Sequence, residues 1–208
     1  MLNKFSRYVC QNCGYETSQY FGRCMNCKEW NSIIEEEKSV VSKKNIIKKS
    51  KKSKLFTEIE IKEISRIKTG FNEFDRVLGG GLVHGSIILL GGEPGIGKST
   101  LVLQAAAQMS LSHNVIYITA EESLEQVKVR WKRLNQRNSN LKVFAENNLS
   151  IIIQEIKENK PTIAIIDSIQ AINNSDLESA SGSVSQVRSC SSELQKFAKD
   201  YNISLLII

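Results

Sequence analysis

A glycine-rich loop, GGEPGIGKST, lies between the apolar run IILLG and the helical pattern STLVLQAAAQ. It contains Gly92-x4-Gly97-Lys98-Ser99, the P-loop pattern, in the strand–loop–helix order that a P-loop requires. The glycines, including Gly95, let backbone N–H groups approach a β-phosphate without Cβ clashes. The N-terminus of the following helix adds the positive end of its dipole. The segment therefore predicts a phosphate-binding loop at the end of a buried strand.

Individual residues of this loop have expected contacts with a nucleotide. Lys98 reaches the β- and γ-phosphates, and the hydroxyl of Ser99 ligates magnesium. We predict that one continuous segment binds the nucleotide: Gly92, Glu93, Pro94, Gly95, Ile96, Gly97, Lys98, Ser99 and Thr100. The predicted cofactors are accordingly ATP and Mg2+.

Acidic residues at two predicted strand ends complete the site. Asp167 ends the apolar run TIAIID, where the carboxyl end of a strand meets the phosphates, so we expect it to hold magnesium through water. The alternative is that Asp167 only forms a turn.

Glu121 and Glu122 follow the strand NVIYIT, and a carboxylate there faces the γ-phosphate if this strand neighbours the P-loop strand. We take Glu121 as the base that orients the attacking water. Two alternatives stay open: Glu122 is the base, or both glutamates only stabilise a helix N-terminus. The predicted catalytic residues are Lys98, Glu121 and Asp167.

Apolar runs alternate with helical patterns from about residue 57 to the end. We predict strands at 86–92, 114–120, 142–145, 162–168 and 203–208, with amphipathic helices between them. Continuous apolar strands that alternate with helices indicate a parallel sheet covered on both faces. The fold class is therefore α/β, with a P-loop ATPase domain over residues 57–208.

Four cysteines stand near the start of the chain in two Cys-x2-Cys pairs, Cys10 with Cys13 and Cys24 with Cys27. This spacing is typical of a closed, tetrahedral, structural zinc site. A segment of about thirty residues cannot bury a core of its own, so zinc would supply most of its folding energy. We predict a four-cysteine zinc ribbon over residues 1–34; the alternatives are buried thiols without metal or a redox pair. Cys190 is expected to be an ordinary packed thiol.

A basic segment joins the two predicted domains. Residues 35–56 contain eight lysines between 38 and 54, interspersed with serines, which is typical of a solvated linker. The chain has no run near the roughly 20 apolar residues that span a bilayer. Its first residues have no apolar core of a secretory signal. These features predict a cytoplasmic protein without a membrane segment, in which thiols stay reduced.

Taken together, these motifs resemble the RadA (Sms) family of bacterial DNA-repair proteins, which are RecA-like ATPases. The resemblance is carried, in order, by YVCQNCG, GRCMNCKEWNS, TGFNEFDRVLGGGLVHGS, GGEPGIGKST, AEESLEQVKVR, IIDSIQ and GSVSQVR. It implies a RecA-like P-loop domain behind a small zinc ribbon, and DNA-dependent ATP hydrolysis. It also implies action in repair and recombination on single-stranded DNA and branched intermediates (branch migration), and assembly into a homo-oligomeric ring.

The same resemblance implies that residues 176–188 form a mobile loop near the DNA channel; a polar loop followed by a helix start is the alternative. Members of this family continue well past the final segment, ISLLII. We therefore expect a truncated chain whose last strand leaves an unpaired edge, and which binds nucleotide better than it hydrolyses it. Two other functions stay open: a RecA-like signalling ATPase that binds proteins and not nucleic acid, and an inactive remnant.

Overall fold

The computed structural model describes residues 6–37, 55, 57, 65–134 and 140–208. These residues form a small antiparallel sheet followed by a larger parallel sheet with helices. The predicted linker, residues 35–56, lies outside the described residues except for Glu35–Glu37 and Leu55.

The small sheet is built from strands β1 (Ser6–Cys10), β2 (Glu16–Thr17) and β3 (Ile33–Glu37), in the order β2-β1-β3. Its buried cluster consists of Cys10, Cys24 and Ile33. So small an apolar cluster cannot offset the conformational entropy that the segment loses on folding. The cysteines at its centre must therefore contribute through chemistry other than burial.

The larger body begins with β4 (Arg66–Ile67), α1 (Asn72–Val77) and β5 (Leu82–Val83). Its parallel strands are β6 (Ile87–Leu89), β7 (Val115–Thr119), β8 (Lys142–Ala145), β9 (Ile163–Asp167) and β10 (Ser204–Ile207). The connecting helices are α2 (Lys98–Met109), α3 (Leu124–Arg133), α4 (Leu149–Asn159) and α5 (Val184–Tyr201). The strand order is β6-β10-β9-β7-β8, and every neighbouring pair is parallel.

Helices cover both faces of the parallel sheet. Alternate residues of the central strands point to opposite faces because the side chains of a strand have a period of two. Ile116 and Ile166 belong to the apolar cluster that includes residues of α4 and α5. Tyr117 and Ile165 belong to the cluster that includes residues of α2 and α3. The predicted parallel sheet, covered on both sides, is confirmed.

The position of the last strand corrects one expectation. We expected ISLLII to leave an unpaired edge, but β10 pairs with β6 on one side and with β9 on the other. Apolar periodicity identifies a buried strand without revealing its neighbours, which is why the expectation was wrong. Among the described strands, β6 and β8 lie at the two edges of the sheet.

The strand order also corrects the premise used for Glu121. Two strands, β10 and β9, separate β7 from the P-loop strand β6, so β7 does not neighbour it. Glu121 instead follows a strand that pairs with β9, the strand that ends in Asp167. Its route to the site therefore runs through the end of β9.

The segment 176–188 is a polar turn followed by the start of α5, as the alternative interpretation held. The side chain of Ser183 accepts a hydrogen bond from the Gln186 backbone N–H and caps the helix. The Gln186 amide is fully buried and donates to the carbonyl oxygens of Asn174 (3.2 Å) and Ser179 (2.8 Å). The expectation of a mobile loop is wrong for residues 184–188, which are helical, and Gln186 fastens the preceding turn to the helix.

Candidate functional site

The P-loop connects β6 to α2 at the carboxyl edge of the sheet. Gly95 (φ 80°) and Gly97 (φ 98°) have left-handed backbone conformations that favour glycine. A Cβ added to either residue would meet no atom within 4 Å, so the space above the loop is open. Gly97 is the N-cap of α2, and the structure gives this cap no side-chain hydrogen bond. The first N–H groups of α2 are therefore suited to bind phosphate oxygens.

Lys98 folds back over this loop. Its ammonium donates hydrogen bonds to the carbonyl oxygens of Gly92 (2.7 Å) and Glu93 (2.8 Å). Since a lysine ammonium has three donors and a full charge, a phosphate entering the loop would compete strongly for them. Lys98 is thus held where the sequence predicts a phosphate contact.

Ser99 and Asp167, which are 68 positions apart in the chain, meet at this edge. The Ser99 hydroxyl donates to Oδ1 of Asp167 at 3.0 Å. A hydroxyl and a carboxylate side by side form a hard oxygen donor set, the kind that magnesium prefers. The residues present therefore fit magnesium, and the roles assigned to Ser99 and Asp167 stay predictions.

Tyr117 and Arg130 contact the other oxygen of Asp167, and the sequence analysis missed both. The Tyr117 hydroxyl donates to Oδ2 of Asp167, and Nη1 of Arg130 lies 3.8 Å from the same oxygen. Burial, reinforced by the charge of Asp167, raises the pKa of Tyr117, so its hydroxyl stays a donor. A tyrosine in the middle of a buried strand needs a hydrogen-bond partner, and this was the available signal for Tyr117.

Glu121 and Glu122 are adjacent in sequence but have different partners. The Glu122 carboxylate forms an ion pair with Arg130, and its backbone N–H donates to the Thr119 hydroxyl (3.1 Å). The Glu121 carboxylate instead accepts a hydrogen bond from the hydroxyl of Ser168, the residue after Asp167. Glu121, and not Glu122, is therefore tied to the end of β9.

Gln170 completes the surroundings of Ser168. Its side-chain oxygen lies 2.8 Å from the Ser168 hydroxyl oxygen. A serine hydroxyl has one hydrogen, so it cannot donate to both Glu121 and Gln170. Turning the Gln170 amide, so that its NH2 group donates to Ser168, satisfies all three side chains. With that arrangement Ser168 orients the Glu121 carboxylate.

The four N-terminal cysteines converge on one point. Their Sγ atoms all lie within 4.8 Å of one another. The shortest separations are 3.5 Å, between Cys13 and Cys24, and 3.6 Å, between Cys10 and Cys27. A tetrahedral zinc with Zn–S bonds of about 2.3 Å needs sulfur atoms about 3.8 Å apart, whereas a disulfide needs about 2.05 Å. All four thiols are free of disulfides, and they fit zinc.

Both Cys-x2-Cys turns have the same backbone geometry. Gly14 N–H donates to the Cys10 carbonyl oxygen at 2.8 Å, and Lys28 N–H donates to the Cys24 carbonyl oxygen at 2.9 Å. Gly14 (φ 71°) and Lys28 (φ 62°) are both left-handed, so each turn presents its cysteine pair in the same way.

The Cys10 thiol is poised to ionise. Burial opposes its ionisation, but hydrogen bonds with Ser32 and with nearby backbone N–H groups outweigh burial and lower the pKa of the Cys10 thiol to about 6. The thiolate is the form that binds metal, so this environment suits a metal ligand at neutral pH.

Two family profiles match the chain. The profile described as "ATPase: KaiC" matches residues 67–208, which includes the whole P-loop and Asp167. A zinc-ribbon profile of the LapB type, described as a rubredoxin metal binding domain, matches residues 8–35. In the described residues, no helix combines the length and the apolar character needed to cross a membrane.

Curated relatives cover the whole chain. DNA repair protein RadA of Bacillus subtilis (strain 168) is 45% identical over 215 residues, which are 100% of this chain and 47% of that protein. DNA repair protein RadA of Listeria monocytogenes is 45% identical over 207 residues, which are 98% of this chain and 45% of that protein. The chain spans about half the length of the curated relatives it matches.

A solved structure of another protein's ATPase domain supports the fold alone. It superposes with a TM-score of 0.58 at 20% identity, covering 69% of this chain and 63% of that one. The predicted fold class, a RecA-like parallel α/β domain behind a zinc ribbon, is confirmed. The resemblance to bacterial RadA is confirmed as well. By the profile that spans residues 67–208, the chain belongs to the KaiC family of RecA-like ATPases.

Proposed function

We propose that this chain is the zinc-ribbon and ATPase part of an ATP-dependent DNA-repair protein. The observation that carries the proposal is the convergence of Lys98, Ser99, Asp167 and Glu121 at the carboxyl edge of one parallel sheet. Ligands of open α/β sheets bind at that edge. The similarity to RadA relatives supports DNA repair as the setting.

The proposed reaction is hydrolysis of ATP, with separate tasks for each side chain. Lys98 and the N–H groups at the start of α2 bind the phosphates, and Ser99 with Asp167 holds magnesium. When bound, magnesium neutralises charge that develops on the phosphate oxygens. Glu121 orients the attacking water and accepts its proton, while Ser168 keeps the carboxylate in place. Glu122 has no part in the proton transfer because Arg130 engages it.

The proposed partners are single-stranded DNA and branched recombination intermediates, on which a ring of identical subunits would act in branch migration. The similarity to RadA supports this, and so does the basic linker. Residues 35–68 have eleven basic and six acidic side chains, whereas residues 69–208 have thirteen and fourteen. Basic segments of this kind favour polyanionic partners.

The salt dependence of DNA binding tests the partner and the linker together. We expect the chain to bind a fluorescein-labelled oligo-dT, and the affinity to fall steeply with salt because lysine–phosphate contacts release counterions. Changing eight linker lysines to glutamine should flatten the plot of log K against log salt by up to about 0.7 per lost contact. The eight are Lys38, Lys43, Lys44, Lys48, Lys49, Lys51, Lys52 and Lys54.

Fluorescence anisotropy over a series of salt concentrations provides the measurement. A control that changes only the first four of these lysines should produce about half of the flattening. An unchanged slope would reduce the linker to a passive tether. If the wild-type chain binds no oligo-dT at any salt concentration, DNA is not its partner, and the alternative of a protein-binding signalling ATPase takes its place.

A further inference from the structure

A second set of side chains surrounds Asp167 on the side away from Ser99. Tyr117 is fully buried on the face of the sheet that packs against α2 and α3, and its hydroxyl donates to Oδ2 of Asp167. Register explains this reach, because Tyr117 pairs with Ile165, two residues before Asp167 on the neighbouring strand. Residues two apart on a strand share a face, so the tyrosine ring runs along the sheet toward the carboxylate.

Arg130 approaches the same oxygen from α3. Its guanidinium lies between two carboxylates: it pairs with Glu122, and Nη1 is 3.8 Å from Oδ2 of Asp167. Only 18% of the Arg130 side chain and 12% of the Asp167 side chain are exposed. α3 is held in place by a complete capping box between Ser123 and Gln126, so Arg130 projects from a well-anchored helix.

The two oxygens of Asp167 therefore have separate partners. Tyr117 and Arg130 occupy Oδ2, and Oδ1 faces the Ser99 hydroxyl. Partly buried ion pairs contribute little net stability, because desolvation offsets their attraction. The cost of burying these groups is better explained by orientation of the carboxylate than by folding energy.

We propose that Tyr117 and Arg130 are positioning residues: they hold Oδ2 of Asp167 so that Oδ1 faces Ser99 and the magnesium, while Glu122 serves as the counter-ion of Arg130. The inference rests on the proposed nucleotide function. Partners that orient a metal ligand without touching the metal are worth about 10–100-fold in metal affinity or activity.

The test is the magnesium requirement of ADP binding by the full 208-residue chain. Tyr117→Phe keeps the buried ring and removes only the hydroxyl, and Arg130→Gln removes the charge from α3. In each variant the magnesium concentration that gives half-maximal tightening of ADP binding should rise at least about tenfold. ADP affinity without added magnesium should stay at the wild-type value, since neither side chain contacts the P-loop in the described structure.

Calorimetric titrations with ADP over a magnesium series provide this readout, without a chelator so that the thiols keep their metal. Arg133→Gln is the matched control, because it removes the same charge from an exposed position one turn further along α3. Arg130→Lys should recover part of the loss. Thermal melting of each variant identifies any that fail to fold, and Tyr117→Phe, the smallest change, decides the question if Arg130→Gln does not fold.

The outcomes separate this inference from the function beneath it. A wild-type chain that binds no ADP under any condition would overturn the proposed function itself. A wild-type chain that binds ADP, with Tyr117→Phe and Arg130→Gln showing the wild-type magnesium requirement, would overturn only the positioning role. Equal losses of ADP affinity with and without magnesium would also overturn it, because they would indicate a purely structural contribution.

Discussion

Changing Cys24 to serine should release the zinc and unfold the small N-terminal sheet while the parallel sheet stays folded. The four Sγ atoms lie within 4.8 Å of one another, so the loss of one ligand opens the tetrahedral site. Structural zinc supplies about 10–16 kcal/mol of apparent binding free energy in small domains. The buried cluster of Cys10, Cys24 and Ile33 cannot replace that contribution.

Elemental analysis of protein purified without added metal should find one zinc per wild-type chain and almost none in Cys24→Ser. Cys190→Ala is the matched control, because Cys190 is buried against Ile172 in the parallel-sheet body, away from the four-thiol cluster. That variant should keep its zinc. A wild-type chain without zinc, or one whose four thiols are oxidised to disulfides under reducing conditions, would contradict the zinc assignment.

Changing Glu121 to glutamine should abolish most ATP hydrolysis and leave nucleotide binding intact. The carboxylate matters when water attacks, whereas the phosphates are held by Lys98 and the P-loop in the ground state as well. Loss of a general base typically slows the reaction by about 10²–10⁴-fold. The hydrogen bond from Ser168 is retained by the glutamine side-chain oxygen, so the local structure should not change.

Glu122→Gln makes the same chemical change one residue away and is the matched control. Because Glu122 is the partner of Arg130, we expect this variant to keep turnover well above that of Glu121→Gln. Single-turnover hydrolysis of radiolabelled ATP, with ADP affinity measured in parallel, distinguishes the two. If Glu122→Gln stops hydrolysis and Glu121→Gln does not, the assignment between the two glutamates is wrong.

Local patterns were sufficient to predict much of this fold and site. The P-loop spacing and the apolar runs before it and at Asp167 report on single segments, and each predicted strand is present. The close approach of Ser99 and Asp167 was also predictable, because the carboxyl ends of parallel strands share one edge.

Long-range order was less accessible. Both ISLLII and IILLG are apolar strands, and nothing in either segment tells which of them lies at the edge of the sheet. β10 lies between β6 and β9, so the conditional argument for Glu121 named the wrong neighbour. Tyr117 and Arg130 escaped attention for a related reason: one reads as a buried strand residue and the other as a helix surface charge, and only the register of β7 on β9 joins them to Asp167.

Titration of ADP and magnesium into the 208-residue chain and its Lys98→Ala variant tests the nucleotide site most directly. The ammonium of Lys98 is held over the P-loop, and charge-assisted hydrogen bonds of this kind contribute about 1.5–3 kcal/mol each. We predict one ADP per wild-type chain, and an affinity at least about tenfold weaker in Lys98→Ala at unchanged thermal stability. A wild-type chain that binds no nucleotide, or a Lys98→Ala variant that binds it equally well, would contradict the proposed nucleotide site.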